Sequence, residues 1–185
     1  MSELPQLWLP ILASAVLVFI ASSLIHMVFK WHNSDYKKLD NEDAMRATVR
    51  AGGLNPGQYH FPHCGDMKEM NDPAQQQKYK DGPIGILTII PNGMPNMGKM
   101  LGSWFLLNLL IAAMAACLAA QSFGLQGNAH LAGHLVGMST FMAYGTGSVA
   151  NAIWMGKTWS SVFKDLLDAL IYGTVSALTF MWLWP

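Results

Sequence analysis

Charged side chains are scarce in this chain of 185 residues. Asp, Glu, Lys and Arg together make up 12% of it, whereas hydrophobic residues make up 52%. A typical soluble domain carries roughly 25% charged residues. The formal net charge is zero. Because nucleic-acid binding depends on a basic face that neutralises phosphates, this balance argues against nucleic acid as a partner.

The few charges are also unevenly distributed. Of the 22 Asp, Glu, Lys and Arg residues, 17 lie between Lys30 and Lys99. The 57 residues from Met100 to Gly156 contain none. A stretch of that length without charge is not a water-exposed surface, so we expect it to face lipid or other protein segments.

Cysteine and the common catalytic motifs are nearly absent. There are two cysteines, Cys64 in a polar stretch and Cys117 in an apolar one, which makes a disulfide between them unexpected. The chain has no phosphate-binding loop, nucleophile elbow, dinucleotide-binding fingerprint or Cys-x-x-Cys pair. These absences favour a protein without catalytic activity of its own.

Four apolar stretches are long enough to cross a bilayer core of about 30 Å as helices. They cover residues 7–29, 101–121, 130–154 and 166–184. Tryptophan prefers the headgroup level of a membrane, and all seven tryptophans lie at the ends of these stretches: Trp8, Trp31, Trp104, Trp154, Trp159, Trp182 and Trp184. The pattern predicts an all-α membrane protein with a four-helix transmembrane bundle.

The polar segment of residues 30–99 is too long to be a simple connection. A helix is expected from Asp40 to Arg50, with acidic residues in its first turn and two glycines at its end. Short strands are expected at Gln58–Phe61 and Ile84–Ile90, and a further helix within Asp66–Lys80. The segment therefore predicts a small α/β domain between the first and second spans.

The lysines predict the orientation in the membrane. Basic residues near spanning helices accumulate on the cytoplasmic side. The ends of the predicted spans on one side of the membrane carry six lysines, and those on the other side carry no Lys or Arg. The six are Lys30, Lys37, Lys38, Lys99, Lys157 and Lys164. We expect the 30–99 domain in the cytoplasm and both termini in the periplasm. The first span begins after Glu3 rather than after a basic segment, which favours an uncleaved helix over a signal peptide.

Parts of the chain resemble a group of small bacterial inner-membrane proteins of unknown function. The resemblance lies in residues 21–32 (ASSLIHMVFKWH), 56–62 (PGQYHFP), 168–173 (DALIYG) and 182–185 (WLWP). It implies a multi-pass protein of the bacterial inner (plasma) membrane. It implies no activity, cofactor or binding residue.

Two histidine groups are candidate metal sites. His130 and His134 are spaced i, i+4 on the third span, a spacing that suits two ligands of one transition metal or haem. Instead of binding a metal, the two histidines could transfer protons or form structural hydrogen bonds close to the outer membrane face. His60, His63 and Cys64 lie together in the polar domain, where the alternative is a proline-bounded turn. Asp165 and Asp168 are interpreted as first-turn residues that complement a helix dipole.

Small residues are abundant in the second, third and fourth spans, which predicts closely packed helix faces. With no catalytic motif, they favour an accessory or scaffold subunit of a bacterial inner-membrane complex, in contact with a membrane-protein partner or with further copies of itself. A metal- or haem-binding redox membrane protein is a second hypothesis. An oligomeric transporter or channel component is the third.

Overall fold

The chain is mostly helical, and the computed structural model describes it from Leu4 to Pro185. Glu3 and the N-terminus, for which a periplasmic location is predicted, lie outside the described residues. The helices are α1 (Trp8–Ser23), α2 (Glu42–Ala51), α3 (Met67–Met70), α4 (Pro73–Asp81), α5 (Met97–Phe123), α6 (Ala129–Met155) and α7 (Trp159–Leu183). The strands are β1 (Gly57–Phe61) and β2 (Gly85–Ile89).

The chain divides into two compact units, and the larger contains α1 and α5–α7. Five residues (124–128) join α5 to α6 and three (156–158) join α6 to α7, so each pair is antiparallel. Leu7 and Ile11, at the start of α1, belong to the same buried cluster as Phe180 at the end of α7 and Ala119 at the end of α5. The four helices therefore alternate in direction around one core.

The ends of these helices are defined by local chemistry. The Asn96 side chain accepts a hydrogen bond from the backbone N–H of Lys99 at the start of α5. Asn128 does the same for His130 and Leu131 at the start of α6. Gly124 and Gly156 end α5 and α6 with positive φ angles, a conformation that glycine adopts without steric cost.

The closest helix pair is α6 with α7, because small residues face each other across it. A Cβ atom added to Gly137 would lie 2.8 Å from the Ala177 Cβ and 3.0 Å from the Gly173 carbonyl oxygen. In α5, five alanines are buried in the core: Ala112, Ala115, Ala116, Ala119 and Ala120. The small residues from which close packing was predicted thus pack between the helices of this bundle.

Within residues 4–185, three helices are long and apolar enough to cross a membrane, which corrects the prediction of four. They are Pro5–Phe29, Met97–Phe123 and Trp159–Leu183. The predicted third span lies within α6, which is 27 residues long and carries no Asp, Glu, Lys or Arg. Its mean hydropathy is lowered by polar and small residues, among them His130, His134 and Asn151.

The second unit is Lys37–Pro95, within the predicted 30–99 domain. β1 and β2 pair antiparallel, with Phe61 opposite Gly85. A Cβ atom at Gly85 would lie 2.7 Å from the Phe61 ring, so the pairing requires glycine there. The predicted strands and the helix ending at Arg50 are confirmed to within a few residues, whereas the single helix predicted within Asp66–Lys80 is two helices, α3 and α4.

A substitution at Gly137 tests the packing of α6 on α7. We expect Gly137→Ala to lower the free energy of unfolding by about 1–3 kcal/mol, because the added methyl group overpacks the contact with Ala177. Gly147→Ala is the matched control on the same helix, since a Cβ atom there meets nothing within 4 Å. Thermal unfolding in detergent measures both. Equal melting temperatures for the two variants would contradict this packing.

Candidate functional site

The segment after α1 folds back over the side of α7. The last turn of α1 continues as a π-helical turn, Leu24–Phe29, and Lys30 then adopts a left-handed conformation with φ 54°. A short 3-10 helix, Trp31–Asp35, follows. π-helical turns are frequent at functional sites, and this one places two histidines, His26 before the reversal and His32 after it, on the same side of the bundle.

Asp168 is the residue on which this segment converges. The Trp31 indole N–H donates to Asp168 Oδ1 at 3.1 Å, and His32 Nε2 lies 2.9 Å from Asp168 Oδ2. Asp168 is only 6% exposed. Since α7 begins at Trp159 and not near Leu166, Asp168 is its tenth residue. The interpretation of Asp165 and Asp168 as first-turn residues is therefore wrong.

His32 lies between two carboxylates. Its Nδ1 is 2.7 Å from Asp35 Oδ2, on the opposite side of the ring from Asp168. Burial disfavours the charged imidazole, but hydrogen bonds to both carboxylates outweigh it and raise the pKa of His32 above 6.5.

Lys164 completes this arrangement from one turn earlier on α7. Its ammonium group donates to Asp35 Oδ1 at 2.5 Å and to the Trp31 carbonyl and the Ser34 hydroxyl at 2.8 Å. Although burial raises the pKa of Asp35, the bonds from Lys164 and His32 dominate and lower it to about 2. The folded-back segment is thus held to α7 by charge as well as by packing.

His26 adds a second imidazole to the site. Its ring stacks on that of His32 with centroids 5.0 Å apart and planes 11° apart. One ring nitrogen of each histidine and one carboxylate oxygen of Asp168 all lie within 4.8 Å of one another. Within residues 4–185 this is the only group of three or more His, Cys, Asp or Glu residues with the spacing of metal ligands.

The outer contacts of the two histidines suit metal binding. His26 Nδ1 is 3.0 Å from the Ser22 carbonyl oxygen, and His32 Nδ1 faces Asp35. The carbonyl at Nδ1 of His26 fixes that nitrogen as the protonated one and leaves Nε2 free to bind a metal. In His32 both ring nitrogens contact carboxylates, so a metal would have to replace the proton between Nε2 and Asp168. Metal-ligating histidines almost always have such a partner.

A cleft of about 800 Å³ opens beside this group, between α1, α5, α6 and α7. His26 and Asp168 form part of its lining together with three aromatic side chains, Trp104, Tyr144 and Tyr172. Asp165 also lines it, and there it is bonded to Lys157 and to the Ser148 hydroxyl. The volume is in the range of sites that hold one small molecule.

The predicted pair on α6 lies elsewhere. His130 and His134 are both exposed, and within the described residues no third acidic, Cys or His ligand joins them at metal-ligand spacing. His134 lines a separate groove of about 260 Å³ between α6 and α7. The proposal that these two histidines bind metal or haem stays a prediction.

The predicted group in the second unit forms part of a turn. His60 Nδ1 bonds the Pro62 carbonyl oxygen, and Cys64 Sγ bonds the Asp66 carbonyl oxygen. Helix α4 packs on the turn through Gln75 and Tyr79, whose side chains donate to the His63 and Pro62 carbonyls. A metal site at His60, His63 and Cys64 stays a prediction, and the contacts match its alternative, a proline-bounded turn.

No protein-family model, curated protein or solved structure matches this chain. The resemblance to small bacterial inner-membrane proteins therefore remains an expectation.

The pKa of His32 predicts how the metal-free protein responds to pH. Because its folded pKa is raised above 6.5, His32 contributes stability that is complete below pH 6.5 and is lost as pH rises through the folded value. We expect chelator-treated wild-type protein to melt at a higher temperature than His32→Gln at pH 5.5, and this difference in melting temperature to be smaller at pH 9. A difference that grows with pH would contradict the ion pairs of His32 with Asp35 and Asp168. The contribution of Asp35 to stability has the opposite pH dependence. Because its pKa is lowered from 3.8 to about 2, this contribution is present above pH 3.8 and is lost as pH falls towards 2.

Proposed function

We propose that this chain is a membrane protein that binds a divalent transition metal through His26, His32 and Asp168. The observation that carries the proposal is the approach of three ligand atoms to within 4.8 Å of one another. Two imidazoles and a carboxylate are donors that Zn²⁺ and Fe²⁺ accept in proteins.

A set of three protein ligands favours a catalytic metal site over a structural one. Structural zinc sites are closed by four protein ligands, whereas catalytic sites have three and keep a position for water or substrate. Two histidines and one carboxylate are also the ligand set of non-haem iron sites with open positions. With the cleft beside it, the metal would act as a Lewis acid on a bound molecule.

In the membrane, we propose that α6 spans the bilayer together with the three more apolar helices. It lies between α5 and α7, is as long as α5 and is joined to both by short loops. Two of its polar residues face protein: the Tyr144 hydroxyl donates to Asn108 of α5 at 2.6 Å, and Thr140 is buried. A bundle of four spans in a bacterial inner membrane puts the metal site on the lysine-rich, cytoplasmic side, and both termini in the periplasm.

Metal titration of ligand variants tests the site. We expect chelator-treated wild-type protein to bind one Zn²⁺, and His26→Ala, His32→Ala or Asp168→Asn to weaken binding by at least 100-fold, since each removes one of three ligands. Asp35→Asn should weaken it by about 10–100-fold, because Asp35 only orients His32. Isothermal titration calorimetry in detergent gives the affinities.

The double variant His130→Ala/His134→Ala and the double variant His63→Ala/Cys64→Ser serve as matched controls. Both should bind Zn²⁺ as tightly as the wild type. If either control lost Zn²⁺ binding while His32→Ala retained it, the metal would bind at the residues replaced in that control and not at His32.

Labelling of single cysteines tests the four-span topology. In a chain with Cys64 and Cys117 replaced by serine, we expect a membrane-impermeant maleimide added to spheroplasts to label Gln126→Cys, in the α5–α6 loop. Thr158→Cys, in the α6–α7 loop, should react only in inverted vesicles, because α6 separates the two loops by its full length. Labelling of both from the same side would exclude α6 as a span.

The accessory-subunit function is the second proposal. The small residues that suggested it are largely buried between helices of the chain itself, but the groove beside His134 has an apolar lining from α6 and α7. If a partner helix packs there, Met138→Trp should release a co-purifying membrane protein and leave Zn²⁺ binding unchanged. A wild-type protein that purifies alone from its host would count against this second function.

A further inference from the structure

The second unit contains a groove of about 700 Å³ between helix α2 and strand β2. Met45 and Val49 of α2 lie on one side of it, and residues 87–90 lie on the other. The turns that follow the two elements complete the lining. All of these residues belong to one compact unit, so the groove is a feature of that unit alone.

The groove follows one edge of β2. Four consecutive residues, from Leu87 in the strand to Ile90 directly after it, form part of the lining. Successive side chains of a strand point to opposite faces, so a groove on one face of the sheet would be lined by alternate residues. Strand β1, which the structure describes in full, contributes no residue to the lining. The groove therefore runs along the edge of β2 that is turned away from β1.

The backbone of that edge has no partner in the chain. The sheet has two strands, so β2 is paired on one side only. In an antiparallel pair, every second residue directs its N–H and C=O away from the neighbouring strand. Within the described part of the chain, residues 86–90 form no backbone hydrogen bonds except those with β1. An unpaired strand edge is a place where another chain adds a strand.

Helix α2, on the other side of the groove, is incompletely packed. It is ten residues long, and none of these ten described residues is buried. Isolated helices shorter than about 12 residues are only marginally stable in water. Its apolar side chains Met45 and Val49 are half-buried and line the groove. A chain that filled the groove would cover them and stabilise α2.

Two arginines give the groove a positive charge. Arg46 and Arg50 line it, and the described residues of the lining include no Asp or Glu. Positions four residues apart on a helix are separated by about 6 Å along its axis, and two residues of an extended strand span about 6.7 Å. Carboxylates at alternate positions of an extended segment therefore match the spacing of the two arginines.

We propose that this groove binds an extended acidic segment of a partner protein as an added strand on β2. The backbone of the segment pairs with the free edge, and its alternate carboxylates accept hydrogen bonds from Arg46 and Arg50. The free edge favours a peptide over a lipid headgroup or a small anion, because either of those would leave the backbone groups of β2 unpaired. The inference is independent of the proposed metal site.

A short synthetic peptide tests the charge complementarity. It contains three valines alternating with two glutamates, is blocked at both ends and carries a fluorescent label, and its anisotropy is followed as metal-free, full-length protein is added in detergent. We expect saturable binding, and at least tenfold weaker binding when both glutamates are replaced by glutamine. Arg46→Gln/Arg50→Gln should weaken binding equally, because it removes charge-assisted hydrogen bonds. Lys78→Gln/Lys80→Gln, on α4, is the matched control with the same change of charge and should bind as wild type.

Methylation of the peptide backbone tests the strand pairing. An added strand directs alternate N–H groups towards its neighbour. We therefore expect N-methylation of one alternate set, either the glutamates or the valines, to abolish binding, and methylation of the other set to leave it nearly unchanged. An equal effect of the two sets would overturn the pairing with β2.

The remaining outcomes assign the groove to other occupants or to none. Absence of peptide binding, or binding that Arg46→Gln/Arg50→Gln leaves unchanged, would overturn the proposal. Displacement of the peptide by glutarate at the same concentration would replace it with a small-anion site, and displacement by phosphatidylglycerol in the micelles would replace it with a lipid surface. Self-association of the wild type that the arginine variant loses, without peptide binding, would assign the groove to a second copy of this chain.

Discussion

A buried carboxylate, Asp168 on α7, is the constraint on which the larger unit depends. Leaving Asp168 without partners would cost several kcal/mol, because an ionised group loses its hydration on burial. The chain provides Trp31 and His32, which reach Asp168 only because the backbone reverses at Lys30. The left-handed residue and the 3-10 helix form this reversal, and the bonds from Lys164 hold it against α7.

The same constraint brings the candidate ligands together. Once His32 contacts Asp168, the π-helical turn before it places the His26 ring against the His32 ring. The cleft adjoins this group, and the aromatic side chains of α5–α7 give it a rigid lining: Trp104 packs edge-on to Tyr144, and Tyr144 to Tyr172. The proposed metal site and the cleft therefore share Asp168 and His26.

Local patterns in the sequence predict most of the helices and strands. Long apolar stretches with tryptophan at their ends are properties of neighbouring residues, and so are the turns around β1 and β2. The start of α7 is the exception. Lys164 and Asp165 look like interfacial charges in the sequence, but both are paired within the fold, Lys164 with Asp35 and Asp165 with Lys157. Both therefore lie inside the helix, which begins at Trp159.

The candidate site could not be predicted by spacing. His32 and Asp168 are 136 positions apart, and only the packing of α1 against α7 brings them together. His130 and His134 attract attention because their spacing is local, although no third ligand accompanies them within residues 4–185. A signal did exist: Asp168 is an acidic residue inside an apolar helix, and ionisable residues in spanning segments mark functional sites.

X-ray absorption spectroscopy of the Zn²⁺-loaded wild-type protein tests the central claim most directly. The account predicts a first shell of nitrogen and oxygen atoms at about 2.0–2.2 Å with the scattering of two imidazoles. In Asp168→Asn, the number of oxygen ligands or their distances from the zinc should change. A sulfur atom at about 2.3 Å, as a site that includes Cys64 would supply, or a protein that retains no zinc, would contradict it.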